Sequence, residues 1–410
     1  MIPIIPIQHF KPINTQSPIL GDTTLSGLTN PPPLSLYIHI PWCVKKCPYC
    51  DFNSHELRDK NDEGRLPEKR YVAALISDLE QSVPRVYGRK IHSVFFGGGT
   101  PSLFSPDAID AILSAVRMLT PLEYDAEISL EANPGTVESA HFQGYRSAGV
   151  NRLSLGIQSF NADHLQSIGR IHDDKQALNA AKMALETFDR VNFDLMYGLP
   201  NQTLAHALDD ANRAITFNPD HLSFYHLTVE PNTPFYRTPP SLPSDDISAD
   251  MQIQIEELLK KNGFEHYETS AFCKPKSQAR HNLNYWQFGD YLGIGAGAHS
   301  KLSYHDKITR ETRHKHPTAY MQNALSDHAV DHTWVIEQAA LSFEFMMNAL
   351  RLNNGFDPRL FTQRTGLPLH VISARLNNAL KQGLITHENN LIKPTALGQR
   401  YLNNLLEIFL

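Results

Sequence analysis

Cys43, Cys47 and Cys50 fall within eight positions of a 410-residue chain that has four cysteines in all. Three is an awkward number: disulfides need pairs, a structural zinc site normally takes four ligands, and a lone catalytic thiol needs no such companions. The spacing Cys-x3-Cys-x2-Cys lets one short loop fold around a compact metal centre. An iron-sulfur cubane has four irons, so three thiolates leave the fourth iron open to another ligand. A zinc knuckle completed by His39 or His55 is the alternative.

A second loop, "GGGTP" at 97 to 101, lacks the spacing of a GxGxxG fingerprint and a P-loop lysine, so nucleotide phosphates are not its natural ligand. Adjacent glycines allow close backbone approach, although a plain strand-ending turn would leave the same trace.

These loops need a scaffold, and the pattern of the chain supplies one. Runs at 35–40, 91–96, 126–132, 152–157, 191–196 and 222–227 read as six strands, alternating with amphipathic helical stretches such as "SPDAIDAILSAVRML", capped by Ser105. Strand and helix in alternation imply an α/β fold with a parallel sheet, doubly wound or curled into a partial (β/α) barrel. In either shape ligand chemistry gathers at the carboxyl ends of the strands. The cysteine loop, "GGGTP", Glu131, the "QSF" that contains Gln158, and Asp194 all lie at such ends.

The division expected is an arm at 1–33, a barrel core at 34–305, a polar, histidine-rich connector at 306–334, and a helical unit at 335–410. Three helices, a hairpin and a last helix in that unit suggest a winged-helix-like module. Its candidate recognition helix offers only His370, Arg375 and Lys381 for phosphates, a sparse set. With a formal net charge of -6, no basic excess points to nucleic acid.

No apolar run approaches the roughly 20 residues that span a bilayer, and "MIPIIPIQHFKPIN" lacks a basic n-region. The expectation is a cytoplasmic protein with reduced cysteines and at most peripheral membrane contact.

"CVKKCPYC" resembles the CxxxCxxC signature of radical S-adenosylmethionine (SAM) proteins, whose open iron binds the amino and carboxylate groups of SAM. "GGGTP" is similar to the segment that touches the methionine part of SAM in that family. Over residues 34 to 300, "YIHIPWC", "FFGGGTPS", "LEANPGT", "LSLGIQSF", "GRIH", "DLMYGLP" and "HNLNYW" resemble the group that contains oxygen-independent coproporphyrinogen III dehydrogenase and its haem chaperone relatives. The resemblance implies a partial (β/α)6 barrel with a small helical C-terminal domain. It implies a 4Fe-4S cluster, with SAM contacted by Tyr37, Gly98, Gly99, Thr100, Glu131, Gln158, Arg170 and Asp194. The acids, the amide and the arginine suit a cofactor that carries ammonium, carboxylate, sulfonium and hydroxyl groups.

Two positions separate members of the group. The dehydrogenase extends the motif to CxxxCxxCxC, and the place of its last cysteine is taken here by Phe52. HNxxYW, formed by His281, Asn282, Tyr285 and Trp286, resembles a motif associated with haem binding in the chaperones. A neutral imidazole can ligate haem iron, and the aromatics supply flat apolar surface. Cys273 and His299 are weaker candidates. The chaperone reading carries haem as cargo and apo haem proteins, such as respiratory ones, as partners; a homodimer is compatible with it. The enzyme reading is SAM-dependent oxidative decarboxylation of coproporphyrinogen III.

Overall fold

In the strand Leu34–Ile40 (β1), Leu34, Leu36, Ile38 and Ile40 join a buried apolar core with Tyr71, Ala74 and Leu75, while the alternate residues Ser35, Tyr37 and His39 face the other way. The computed structural model describes residues 28–57, 66–135 and 140–410. The same alternation recurs in the other five expected strands. They are Ile91–Gly98 (β2), Leu122–Ala132 (β3), Arg152–Gln158 (β4), Arg190–Tyr197 (β5) and His221–His226 (β6). All six run parallel in sequence order. Their apolar residues pack outward under helices, and Glu127, Glu131, Arg152, Ser154, Asn192, Asp194 and His221 line the concave side. A fold that buries both faces of its sheet thus keeps one of them polar.

The sheet extends beyond the expected six. Glu265–Glu268 (β7) and Ala271–Cys273 (β8) add antiparallel beside β6. On the other side, Asp290–Ile294 (β9) runs parallel to β1, followed by the antiparallel strands His299–Ser303 (β10), Ile308–Arg313 (β11) and Val330–Val335 (β12). The order is β12-β11-β10-β9-β1-β2-β3-β4-β5-β6-β8-β7, an open sheet, so the barrel is partial.

The outer layer includes the helices Glu68–Ser82 (α1), Pro106–Leu119 (α2), Phe142–Ala148 (α3), Asp174–Thr187 (α4), Leu204–Thr216 (α5) and Asp245–Lys261 (α6). Ser105 caps α2 as its sequence predicts, its Oγ accepting the Ala108 N–H at 3.2 Å. Among the described residues no helix is long and apolar enough to cross a membrane.

The segment that reads as a connector, 306–334, instead carries β11, a helix at Pro317–Ala324 and most of β12. Its polarity misleads because the charges are paired: buried Arg313 bonds Asp78 at 2.9 Å and Glu311 at 3.1 Å. Of the arm at 1–33, residues 1–27 lie outside the described residues, and Leu28 packs against the C-terminal core. The last unit holds three helices, Gln338–Ala349, Pro358–Thr365 and His370–Lys381, and the hairpin Ile385–Glu388 with Leu391–Pro394. Its final helix is broken in two at Tyr401.

Candidate functional site

The loop after β1 brings Cys43, Cys47 and Cys50 together as free, half-buried thiols. A turn closes it, Cys50 N–H donating to Cys47 O at 3.1 Å, and Lys46 Nζ bonds Phe52 O at 2.8 Å. Burial pushes the Cys43 thiol up and Cys50 to about 11, so these two stay protonated until a metal displaces the proton. His39 cannot complete a zinc knuckle. Its Nε2 donates to Asn53 O at 2.9 Å, which leaves Nδ1 to accept from the Tyr37 hydroxyl at 2.9 Å, and burial lowers its pKa to about 4. Among the described residues no three Cys, His, Asp or Glu side chains close on a point where a single ion would sit. A cubane does not ask for that, because each thiolate binds a different iron. The donor set fits a cluster.

The three glycines allow a close approach, but between two loops of the protein. Gly99 N–H donates to Ile40 O and Thr100 N–H to Trp42 O, both at 2.7 Å, so "GGGTP" is bonded to the start of the cysteine loop. A Cβ on Gly99 would lie 2.5 Å from Trp42 O; one on Gly98, where φ is +116°, would lie 2.5 Å from the His39 ring. Gly98 N–H is left to donate to Glu131 at 3.2 Å.

A further chain of bonds ties the loops laterally. Asn133 Nδ2 donates to Thr100 Oγ1 at 3.0 Å, and Arg170 donates to Asn133 Oδ1 at 2.5 Å, to Gly156 O at 2.9 Å and to Cys47 Sγ at 3.6 Å. Arg170 therefore braces the cysteine loop. Sequence reasoning missed Asn133, whose only trace was its place in "LEANPGT".

Next to this brace opens a cleft of about 280 Å³ lined by Cys50, Phe52, Gly99, Thr100, Glu131, Gln158 and Asp194. Five of the eight residues expected at SAM line it. Gly98 and Arg170 sit behind, bonded to the lining residues Glu131 and Asn133, and Tyr37 is bonded to His39. Gln158 ends β4 at φ +68°, breaking the ladder where its amide meets the cleft. Burial, with Asp194 nearby, raises Glu131 to about 7. Asp194 accepts from Ser154 Oγ at 2.8 Å and Asn192 Nδ2 at 2.9 Å. Two acids and an amide in one cleft can receive a cation and hydroxyl groups.

HNxxYW forms the helix Arg280–Trp286 (α7), packed against β1 and β2. None of its four candidates lines the cleft. His281 is 4% exposed, its ring 4.0 Å from that of Phe95, with Nδ1 donating to Glu127 at 3.2 Å. Burial lowers its pKa and leaves a neutral imidazole. Burial would raise Glu127, but the His281 bond and the Arg152 charge outweigh it and hold the carboxyl at about 2. Asn282 bonds the Tyr267 hydroxyl at 3.3 Å, Tyr285 meets Tyr291 edge-on, and Trp286 lies under the Arg351 guanidinium at 4.4 Å. Cys273 is fully buried beside Tyr267, Ala271 and Leu283, a packing residue. His299 opens β10, half-buried, with burial lowering it to about 4.

A partial barrel with three loop cysteines and an acid-lined cleft defines a radical SAM protein, and the Radical SAM superfamily model matches residues 37–214. The HemN C-terminal domain model matches 336–401. The heme chaperone HemW of Escherichia coli (strain K12) is 48% identical over 384 residues, 92% of this chain and 98% of that protein. The heme chaperone HemW of Bacillus subtilis (strain 168) is 30% identical over 92% of this chain and 99% of that protein. Coproporphyrinogen III oxidase (HemN) from Escherichia coli superposes with a TM-score of 0.77 at 25% identity, covering 94% of this chain and 92% of that one. The chain belongs to the HemW family of radical SAM proteins, and membership implies a 4Fe-4S cluster and SAM.

Proposed function

We propose that this protein is a haem chaperone, which binds haem and hands it to apo haem proteins, respiratory ones among them. Phe52 carries the choice over the decarboxylating enzyme: an inert ring, not a thiol, stands in the cleft wall two positions after Cys50. Cys43, Cys47 and Cys50 would hold the cluster, and the cleft of Glu131, Gln158 and Asp194 would hold SAM. When bound, the pair supplies one-electron chemistry at an open iron. The chain's own part is to fix the loops through Arg170, Asn133 and Thr100, and to set the charge of Glu131.

Haem is assigned to His281. Its Nδ1–H is engaged by Glu127, so Nε2 carries the lone pair an iron would take. Since the ring lies against Phe95, loading would require α7 to shift. The four unpaired cysteines favour a reducing, cytoplasmic setting. We take the C-terminal unit to begin near residue 335, a reading supported by the family model over residues 336–401.

The test is a haem titration of the anaerobically reconstituted protein beside His281→Ala, followed by the Soret band and by transfer to an apo haem protein. Binding that is transferable and at least roughly tenfold weaker in the variant supports the reading. A protein that neither retains nor transfers haem, but turns over coproporphyrinogen, overturns it.

A further inference from the structure

The wall of the cleft farthest from the cysteine loop in strand order is built by Tyr225 at the end of β6, by Thr269 and Ser270 between β7 and β8, and by Arg351. Arg351 comes from the C-terminal unit, just after the helix Gln338–Ala349, and Thr269 N–H donates to its carbonyl at 3.1 Å. Its guanidinium lies over Trp286, 4.4 Å from the ring centroid. Among the described residues it has no carboxylate within ion-pair distance and no hydrogen-bond partner, and its Nε is wholly buried. Glu268 is the neighbouring acid, and it too keeps a buried oxygen, Oε2, without a partner. Burial pulls Arg351 below the usual arginine value and pushes Glu268 up; the attraction between the two opposes both shifts but does not outweigh the burial.

A guanidinium is charged at any physiological pH, and one partly withdrawn from water with no carboxylate at ion-pair distance is only weakly compensated. A fork of donors left open toward a cleft matches a planar carboxylate in two parallel bonds. The hydroxyls of Tyr225, Thr269 and Ser270 add donors around the same space. The acids Glu131 and Asp194 line the same cleft, so its charge is divided: negative where the expected cofactor cation sits and positive at Arg351.

We propose that Arg351, with Tyr225, Thr269 and Ser270, forms a carboxylate-binding subsite in this cleft. Its occupant on the chaperone reading, on which this identification rests, is a propionate arm of haem. A cleft of about 280 Å³ is at the small end of ligand sites, so a tetrapyrrole enters it by an arm and not whole. The same chemistry is carried by the α-carboxylate of SAM. The stacking of Arg351 on Trp286 would then join the cleft to the HNxxYW helix through a single side chain.

The experiment compares wild type, Arg351→Gln and Arg351→Lys, anaerobically reconstituted, in titrations with haem, with haem dimethyl ester and with SAM. Lysine keeps the charge and most of the stem over Trp286, which separates a lost anion site from a lost packing contact. A haem propionate at Arg351 predicts that the glutamine variant weakens haem by roughly tenfold to a hundredfold and the lysine variant by less. The dimethyl ester would bind all three proteins alike, and SAM affinity would not move. If SAM affinity falls by that factor instead, the subsite stands with SAM as its occupant. Equal losses for haem and its ester in both variants, or no loss for haem and SAM, overturn the subsite. If wild type binds no haem at all, the chaperone reading fails, and the SAM titration alone decides for or against the subsite.

Discussion

Glu131 has two properties that pull in opposite directions. In its proposed role its carboxyl must be ionised to attract the cation of SAM, yet burial raises it to about 7. SAM affinity is therefore expected to fall by up to about tenfold from pH 8 to pH 6 as the group takes up a proton. Equilibrium dialysis of the reconstituted protein across that range checks this, and Glu131→Gln should bind weakly and without the slope. Stability changes in a related way. The folded value lies above the ordinary 4.5, so the folded state holds the extra proton between about 4.5 and 7. Wild type then loses stability from this group as pH rises through that window, and the glutamine variant does not. Glu131 and Asp194 were legible as cleft residues because they lie at strand ends on the same side as the cysteine loop and within stretches that resemble the family's motifs. Asn133 and Arg351 were not, since each acts through a contact made only in the fold: Asn133 with Arg170, and Arg351 with Trp286.

The elements that hold the site are the loops after β1 and β2, and their joint is backbone to backbone. Gly99→Ala puts a methyl group 2.5 Å from Trp42 O, against backbone that has no rotamer to yield. The expected cost is about 1–3 kcal/mol, with the cysteine loop displaced. Iron and sulfide per chain after anaerobic reconstitution should drop in this variant. Gly263→Ala, where φ is +80° and nothing lies within 4 Å, strains only the backbone and should load normally. Six strands were readable because their outward residues are Leu, Ile, Val and Phe in alternation with the polar inner face. The strand β9 was not, hidden in the glycines of "GDYLGIGAGAHS", and β11 was hidden by charges that the fold pairs with Asp78 and Arg85. The helix α6 escaped because it buries only Ser248, Met251, Ile255 and Leu259, a stripe too narrow to stand out from its acids.

At the scale of the molecule, the barrel and the C-terminal unit keep separate cores, but the boundary between them is not clean. The core around Phe345, Phe356 and Phe361 takes in Phe288 and Ile308 from the barrel side. Arg310 of β11 bonds Glu344 at 2.7 Å, a buried pair whose loss would strand a charge on either side. The two units are therefore expected to unfold together although each has its own family signature. Phe345 is fully buried, with Phe288, Phe356 and Phe361 each packed edge-on to it at 5.3–5.8 Å. Phe345→Ala should cost about 3–5 kcal/mol. Calorimetry of the wild-type protein should give one transition, shifted as a whole in the variant. A variant in which a first transition moves down while a second stays in place would show instead that the C-terminal unit melts alone. Arg351 would then be presented to the cleft by a unit able to detach from it.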